Sequence, residues 1–290
     1  MANIVTALKP AVWSASMQVP LTKSLVALEI CSTELAKELK VGDKIWKGYS
    51  STLSTETYTP GTALTAQAFN LSADSIEVTT KQAVPFYIDD TELLQVKPSY
   101  VNEIATDAAY QLRDAIDTAV LADVSAGVLF GDSTATGSES FITGTTATTS
   151  AIAGTTANIM KIFSMARKVL RDTNVKEAGD WIAVVLPEVA QLIEERAIIS
   201  GFNLADSTLR NGYAGDFLGF KIYVSNNITA NYAYIGKQGA IDLVMMRAPR
   251  MEIKEVPDKL GRNFIAWTIY GKATFTRNAS RFLEANITVA

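Results

Sequence analysis

Histidine is absent from the 290 residues and cysteine occurs once, at Cys31. A Ser-His-Asp triad, a Cys-His dyad and every His- or Cys-rich zinc site are therefore excluded. Carboxylate chemistry remains. Asp89-Asp90 could ligate a magnesium ion, and Asp114/Asp117 or Glu194-Glu195 could form an acid-base pair. Each has a plainer reading. Asp89-Asp90 precedes a helical pattern, where carboxylates favour the positive end of the helix dipole. Asp117 lies four residues after Arg113, the spacing of an exposed ion pair, and Glu194-Glu195 suits a solvated face. Gly212, Gly215 and Gly219 fit a turn entering a strand better than a phosphate cradle, because no helix start follows them. The phosphate-loop, dinucleotide and nucleophile-elbow motifs are all missing. Cys31, with Glu34 beside it and no base nearer than Lys37, reads as a buried, inert thiol. Trp267, Tyr270 and Phe275 belong to a strand and lack the dense basic stripe of a base-stacking surface. No catalytic residue, metal or cofactor is expected.

The bulk numbers agree with a structural or binding role. With 48% hydrophobic and 19% charged residues the chain can bury a sizeable core. Its net charge of -4 gives no general attraction for a phosphate backbone or an anionic membrane. The longest uncharged run, residues 140–160, contains nine Ser or Thr, so no membrane span is expected. Met1–Pro10 has no basic region followed by an apolar stretch, and the mature chain is expected to start at residue 1 or 2. Charge is uneven: residues 1–236 carry 17 Lys/Arg and 25 Asp/Glu, and residues 237–290 carry nine and five. This suits either a solvated C-terminal segment or attraction between copies of the chain.

The elements that would position these groups follow from periodicity. Residues 1–40 hold Trp13, Met17 and Leu21 without helical or strand spacing, punctuated by Pro10 and Pro20, and read as an extended arm or a frayed tail. Residues 41–88 read as strands around a turn at Pro60-Gly61, a long exposed two-stranded loop. A helix is predicted from Ser99, as its N-cap, to about Ala126, with Val101, Ile104, Ala105, Ala108, Leu112, Ala115, Ile116 and Ala119 on one face. Gly131–Thr156 is a Thr/Gly-rich stretch of loops and short edge strands. A second helix, Asn158–Arg171, turns Ile159, Ile162, Phe163, Ala166 and Leu170 inward. Trp181–Leu186 is a buried strand, and Pro187 opens a helix over 188–199. Further strands are expected at 218–224, 240–246, 251–256 and 263–276, with a turn at Pro257-Asp258.

This order of parts resembles the major capsid proteins of tailed bacteriophages, the Hong Kong 97-type fold. "WIAVVLPEVAQLIEE" (181–195) looks like that family's strand-Pro-helix segment, and "NGYAGDFLGFKIYVSNNI" (211–228) is similar to its G-x-x-x-G-F-x-V-x-x-S-N stretch. "GKQGAIDLVMM" (236–246) and "NFIAWTIYGKATFTRN" (263–278) resemble its closing strands.

The resemblance implies an α+β fold with residues 1–40 as N-terminal arm, 41–88 as extended β-loop and 89–179 as a peripheral domain around the long helix. Residues 180–245 would form the axial domain, and 246–290 strands returning to the peripheral side. It also implies a subunit that assembles with itself, as hexamers and pentamers, into an icosahedral shell around double-stranded DNA. Portal and scaffolding proteins are expected partners, membranes are not, and synthesis in the bacterial host cytoplasm is expected. Trp13, Met17 and Leu21 in the arm, with Trp46, Tyr58 and Phe69 in the loop, are the candidate inter-subunit contacts. The alternatives are a bacterial nanocompartment shell protein and, further off, a carboxylate-based α/β enzyme.

Overall fold

A computed structural model describes residues 22–23, 25–38, 43–91, 98–133, 141–144, 149–175, 181–199, 213–256 and 260–289. The predicted turn at Pro257-Asp258 lies outside them.

The larger body is a nine-stranded mixed sheet. Its central strand β8 (Trp181–Val185) is buried at all five positions, the signature of a strand covered on both faces. β11 (Tyr232–Lys237) pairs antiparallel with β8 on one side and β10 (Phe220–Val224) pairs parallel with it on the other. β9 (Tyr213–Phe217) folds back on β10 through Leu218 and Gly219, both at positive φ, a two-residue hairpin turn with glycine at its second position. On the far side of β11 lie β14 (Phe282–Val289), then β4 (Val128–Ser133) and β5 (Phe141–Gly144). The short β6 (Thr149–Ser150) and β7 (Ile152–Gly154) pair with β4 and β14.

Alternation along β8 sends Trp181, Ala183 and Val185 to one core and Ile182 and Val184 to another. The first core is closed by two helices, Ile159–Asp172 and Pro187–Ile199. The former buries all five residues that its spacing placed inward. The second core is closed by the short α1 (Ala27–Ile30) and by the C-terminal half of α2 (Pro98–Ala122), which continues as a 3-10 turn, Asp123–Ala126. Ser99 lies inside α2 rather than at its cap. The helix starts one residue earlier, with Pro98 at a position where its missing N–H has no partner to lose. The two later helices, in chain order, are α3 (Ile159–Asp172) and α4 (Pro187–Ile199).

The smaller body is a three-stranded antiparallel sheet, β12 (Asp242–Glu255), β13 (Gly261–Ala273) and β3 (Thr80–Asp89), in the order β12-β13-β3. Its inner face packs Val84, Phe86, Ala266 and Met251 against Ala108 and Leu112 of α2, and Phe86 stacks on Phe264. The strands expected separately at 240–246 and 251–256 are one strand, β12. Two register shifts, at Met245/Arg247 and Arg247/Arg250, break the apolar alternation that would have joined them in sequence. Phe275 lies beyond the end of β13, buried in a small core with Ile45, Ile76 and Val78.

Candidate assembly surfaces

β1 (Lys44–Ser50) and β2 (Leu71–Glu77) form an antiparallel ribbon in register from Lys44↔Glu77 to Ser50↔Leu71. Its root is anchored by Ile45, Ile76 and Val78 against Val244, Leu35 and Phe275. Gly271 is the close-approach point, because a Cβ there would meet the Glu77 carbonyl and lie 2.9 Å from the Val78 Cα. Residues 51–70 extend beyond the ladder and are exposed throughout. They close at Thr59-Pro60-Gly61-Thr62, where Thr62 N donates to Thr59 O at 3.1 Å and Gly61 has φ 91°, a type II turn with Pro and Gly at their preferred positions. The two legs are held by Gln67, which accepts from Ser54 N and donates to Ser54 O, and by Glu56, which accepts from Thr65 N.

The ribbon carries its apolar groups uncovered. Trp46 is 65% exposed, Tyr58 61% and Phe69 57%, and Leu53, Leu64 and Leu71 are exposed alongside them. Isolated ribbons are marginal in water, and contiguous exposed apolar surface marks a binding site. The three loop candidates from the sequence therefore share one exposed element. Trp13, Met17 and Leu21 lie outside the described residues.

At the start of the described chain, a polar cluster fixes Lys23, Val26 and Ala27 to the body. Asp117 is only 1% exposed, which overturns the surface ion pair with Arg113 that its spacing suggests. Its Oδ1 accepts from the backbone N–H of Val26 at 2.8 Å and of Ala27 at 2.6 Å, and its Oδ2 accepts from Asn227 Nδ2 at 2.9 Å. The same Nδ2 donates to Asp114 Oδ1 at 2.7 Å, while Lys23 Nζ donates to Asn227 Oδ1 at 2.9 Å. Asp114 and Asp117 are thus both tied to one amide, an arrangement that holds three chain segments together and leaves no carboxylate free as a base. Sequence reasoning missed this cluster because its partners are 90 or more positions apart; the Ser225-Asn226-Asn227 run after a strand was its one local signal.

The other chemical candidates are structural. Asp89 Oδ1 accepts from Thr91 N at 3.0 Å and Thr91 Oγ1 at 2.7 Å, capping the helical turn that follows; these bonds hold its carboxyl below the ordinary range. Glu194 is exposed, and Glu195 accepts from Gln191 Nε2 and Thr156 Oγ1, tying α4 to the start of α3. Burial, with Asp242 nearby, pushes the Cys31 thiol up to about 12, so it is inert at neutral pH. Burial also raises the carboxyl of Asp242, against the opposing pull of Lys47 and hydrogen bonds from Ser32 and Asn278. Trp267 packs with the guanidinium groups of Arg247 and Arg250, 4.7 and 4.9 Å from its ring centre. Among the described residues no group of three His, Cys, Asp or Glu could hold a metal, and no helix is long and apolar enough to cross a membrane.

Residues 73–279 match the profile of a family described as phage capsid protein. No curated protein matches the chain. Among solved structures, the chain is similar to one from Mycobacterium phage Che8, with TM-score 0.76 and 19% identity over 100% of both chains. A capsid structure of cyanophage P-SCSP1u matches with TM-score 0.73 and 15% identity, covering 100% of this chain and 96% of that one. A Gordonia phage Cozz structure matches with TM-score 0.69 and 14% identity over the same shares.

Proposed function

The chain belongs to the phage capsid protein family, and from that premise we propose how its surfaces build a shell. It is a structural subunit of a phage capsid with the Hong Kong 97-type fold. Residues 1–40 act as arm and 41–88 as extended loop; the loop's exposed residues 51–70 and the arm ahead of the docked residues 25–38 reach adjoining copies. Residues 89–179 serve as the peripheral domain, 180–245 as the axial domain, and 246–290 return to the peripheral side. Copies associate as hexamers and pentamers of an icosahedral shell that encloses double-stranded DNA, with portal and scaffolding proteins as partners and synthesis in the host cytoplasm. The subunit performs no catalysis. The phage capsid match favours this over a nanocompartment shell.

The observation that carries this reading is the exposed apolar ribbon. A large aromatic buries about 150–250 Å² when covered. Trp46, Tyr58 and Phe69, with Leu53, Leu64 and Leu71, supply on the order of the 800 Å² per partner that a stable contact needs. Arm and loop contacts, each weak, then add through multivalency. Trp13 is the largest apolar group of the arm for such contacts, and Met17 and Leu21 lie nearer its root.

The test is the double variant Tyr58→Asp/Phe69→Asp. Both positions are exposed, so the unassembled subunit keeps its melting temperature, while assembly measured by sedimentation falls at least tenfold. Undiminished assembly overturns the assignment of the loop.

A further inference from the structure

A cavity of about 330 Å³ lies between the root of the ribbon and the segment that joins β13 to β14. Three cations converge on it: Lys47 from β1, and Arg277 and Arg281 from the joining segment. Lys47 Nζ lies 5.0 Å from the centre of the Phe275 ring, and the Arg277 guanidinium lies 5.3 Å from that of Tyr49. Aromatic faces hold these charges in place without neutralising them. Arg277 also donates to the Ser50 carbonyl, and Lys47 is drawn toward the buried Asp242. The Arg281 side chain is exposed and has no hydrogen-bond or ion-pair partner among the described residues. Of the described residues in the wall one is an acid, Asp74, whose Oδ2 accepts from Thr276 N at 2.9 Å. The cavity therefore carries surplus positive charge, in a concave setting that strengthens its attraction for an anion.

The loop supplies an anion that needs such a site. Residues 51–70 contain a single charged side chain, Glu56, placed between Leu53 and Tyr58. Covering those apolar groups against an adjoining copy draws Glu56 into the contact, and a carboxylate taken out of water is costly unless a cation meets it. Its Oε2 accepts from Thr65 N at 3.1 Å, a bond across the loop that leaves Oε1 open. Within one copy the two groups stay apart. Ser50 lines the cavity, and the leg beyond it, braced by Gln67 against Ser54, carries Glu56 up to about 20 Å away. Asp74 adds selectivity, because its own charge opposes a doubly charged phosphate more than a singly charged carboxylate.

We propose that this cavity receives Glu56 of a neighbouring copy, whose carboxylate pairs with Arg281 and Arg277. Guanidinium and carboxylate meet through two parallel hydrogen bonds, which fixes direction as well as contact. The loop of one copy then engages the ribbon root of the next, a head-to-tail contact that closes into a ring when its rotation permits. Arg277 and Arg281 belong to the positive C-terminal stretch and Glu56 to the acidic remainder, so the uneven charge of the chain acquires a role in assembly. The inference rests on the shell reading and names a charged contact within it.

The experiment is a charge swap on the full chain, read as the protein concentration at which assemblies sediment. Glu56→Arg and Arg281→Glu, each at an exposed position, raise that concentration about tenfold or more, and the double variant Glu56→Arg/Arg281→Glu returns it to within about threefold of wild type. Melting of the unassembled subunit, unchanged in all three, is the control for folding. If Arg281→Glu melts early, the neutral variants Glu56→Gln and Arg281→Gln supply the same comparison: each alone weakens assembly about fivefold, and the second adds nothing once the first is present. A double variant no better than the singles overturns the proposal, and so do neutral variants whose effects add. Normal assembly of Glu56→Arg beside loss in Arg281→Glu assigns the cavity to a different anion and overturns it too, as does normal assembly of Arg281→Glu. Wild type that assembles while the swap fails sinks this contact alone. Wild type that stays monomeric at every concentration removes the shell reading and this contact with it.

Discussion

Asp117→Ala removes the group on which the amino-terminal segment is hung. The carboxylate accepts three hydrogen bonds in a site almost closed to water: two from the backbone of Val26 and Ala27 and one from Asn227. Hydrogen bonds to charged groups contribute about 1.5–3 kcal/mol each, partly offset by the cost of burying the charge. Removing one partner of a buried charged arrangement costs about 3–5 kcal/mol net. Val26, Ala27 and Ile30 are themselves buried in the second core, so the segment stays docked and the cost appears as unsatisfied donors instead of detachment. Asp117→Asn keeps the shape and one acceptor, but its amide nitrogen meets the Asn227 nitrogen, donor against donor. It should cost about 1–3 kcal/mol. Urea unfolding of the unassembled subunit, followed by circular dichroism, measures both. The expected order is wild type, Asn, Ala, with the Ala variant melting about 10 °C lower. An Ala variant within about 0.5 kcal/mol of wild type, the range of an ordinary surface change, refutes the account of the cluster.

Gly271→Val drives a side chain into the backbone at Glu77 and Val78; a loss of about 1–3 kcal/mol is expected, and unchanged melting shows that the ribbon root is not close-packed. For Asp242, burial places the folded carboxyl above its unfolded value, so the folded state holds the proton more tightly. The stability it contributes is complete below the ordinary carboxylate range and is lost as pH rises through the folded value. Asp242→Asn lacks that loss, and parallel pH-stability curves for variant and wild type contradict the assignment. With its thiol near 12, Cys31 in the folded chain reacts with iodoacetamide at pH 8 about a thousandfold more slowly than in urea; equal rates show that it is not buried as described.

Much of this architecture was legible where the signal is local. The inward face of α3, the doubly covered β8 and its Pro-initiated helix, and the Thr59–Thr62 turn each rest on residues within a few positions of one another. The readings that failed depend on distant partners. Asp117 sits four residues from Arg113, but the N–H groups that claim it come from residues 26 and 27. The two halves of β12 separate in sequence because its bulges reset the alternation, and only pairing with β13 joins them. β14 went unread although Leu283, Ala285 and Ile287 alternate inward with period two, a signal that the polar Glu284, Asn286 and Thr288 between them make visible. For the assembly surface, the turn and the Thr-rich legs were readable. So was the exposure of the loop that carries Trp46, Tyr58 and Phe69, which the structure bears out.

Self-association is the central claim, and sedimentation velocity of the purified chain, with negative-stain microscopy of the same sample, tests it most directly. The account predicts closed shells, tubes or rings of five or six subunits that form as concentration rises. A single monomeric species at every concentration, with and without added scaffolding protein, contradicts it.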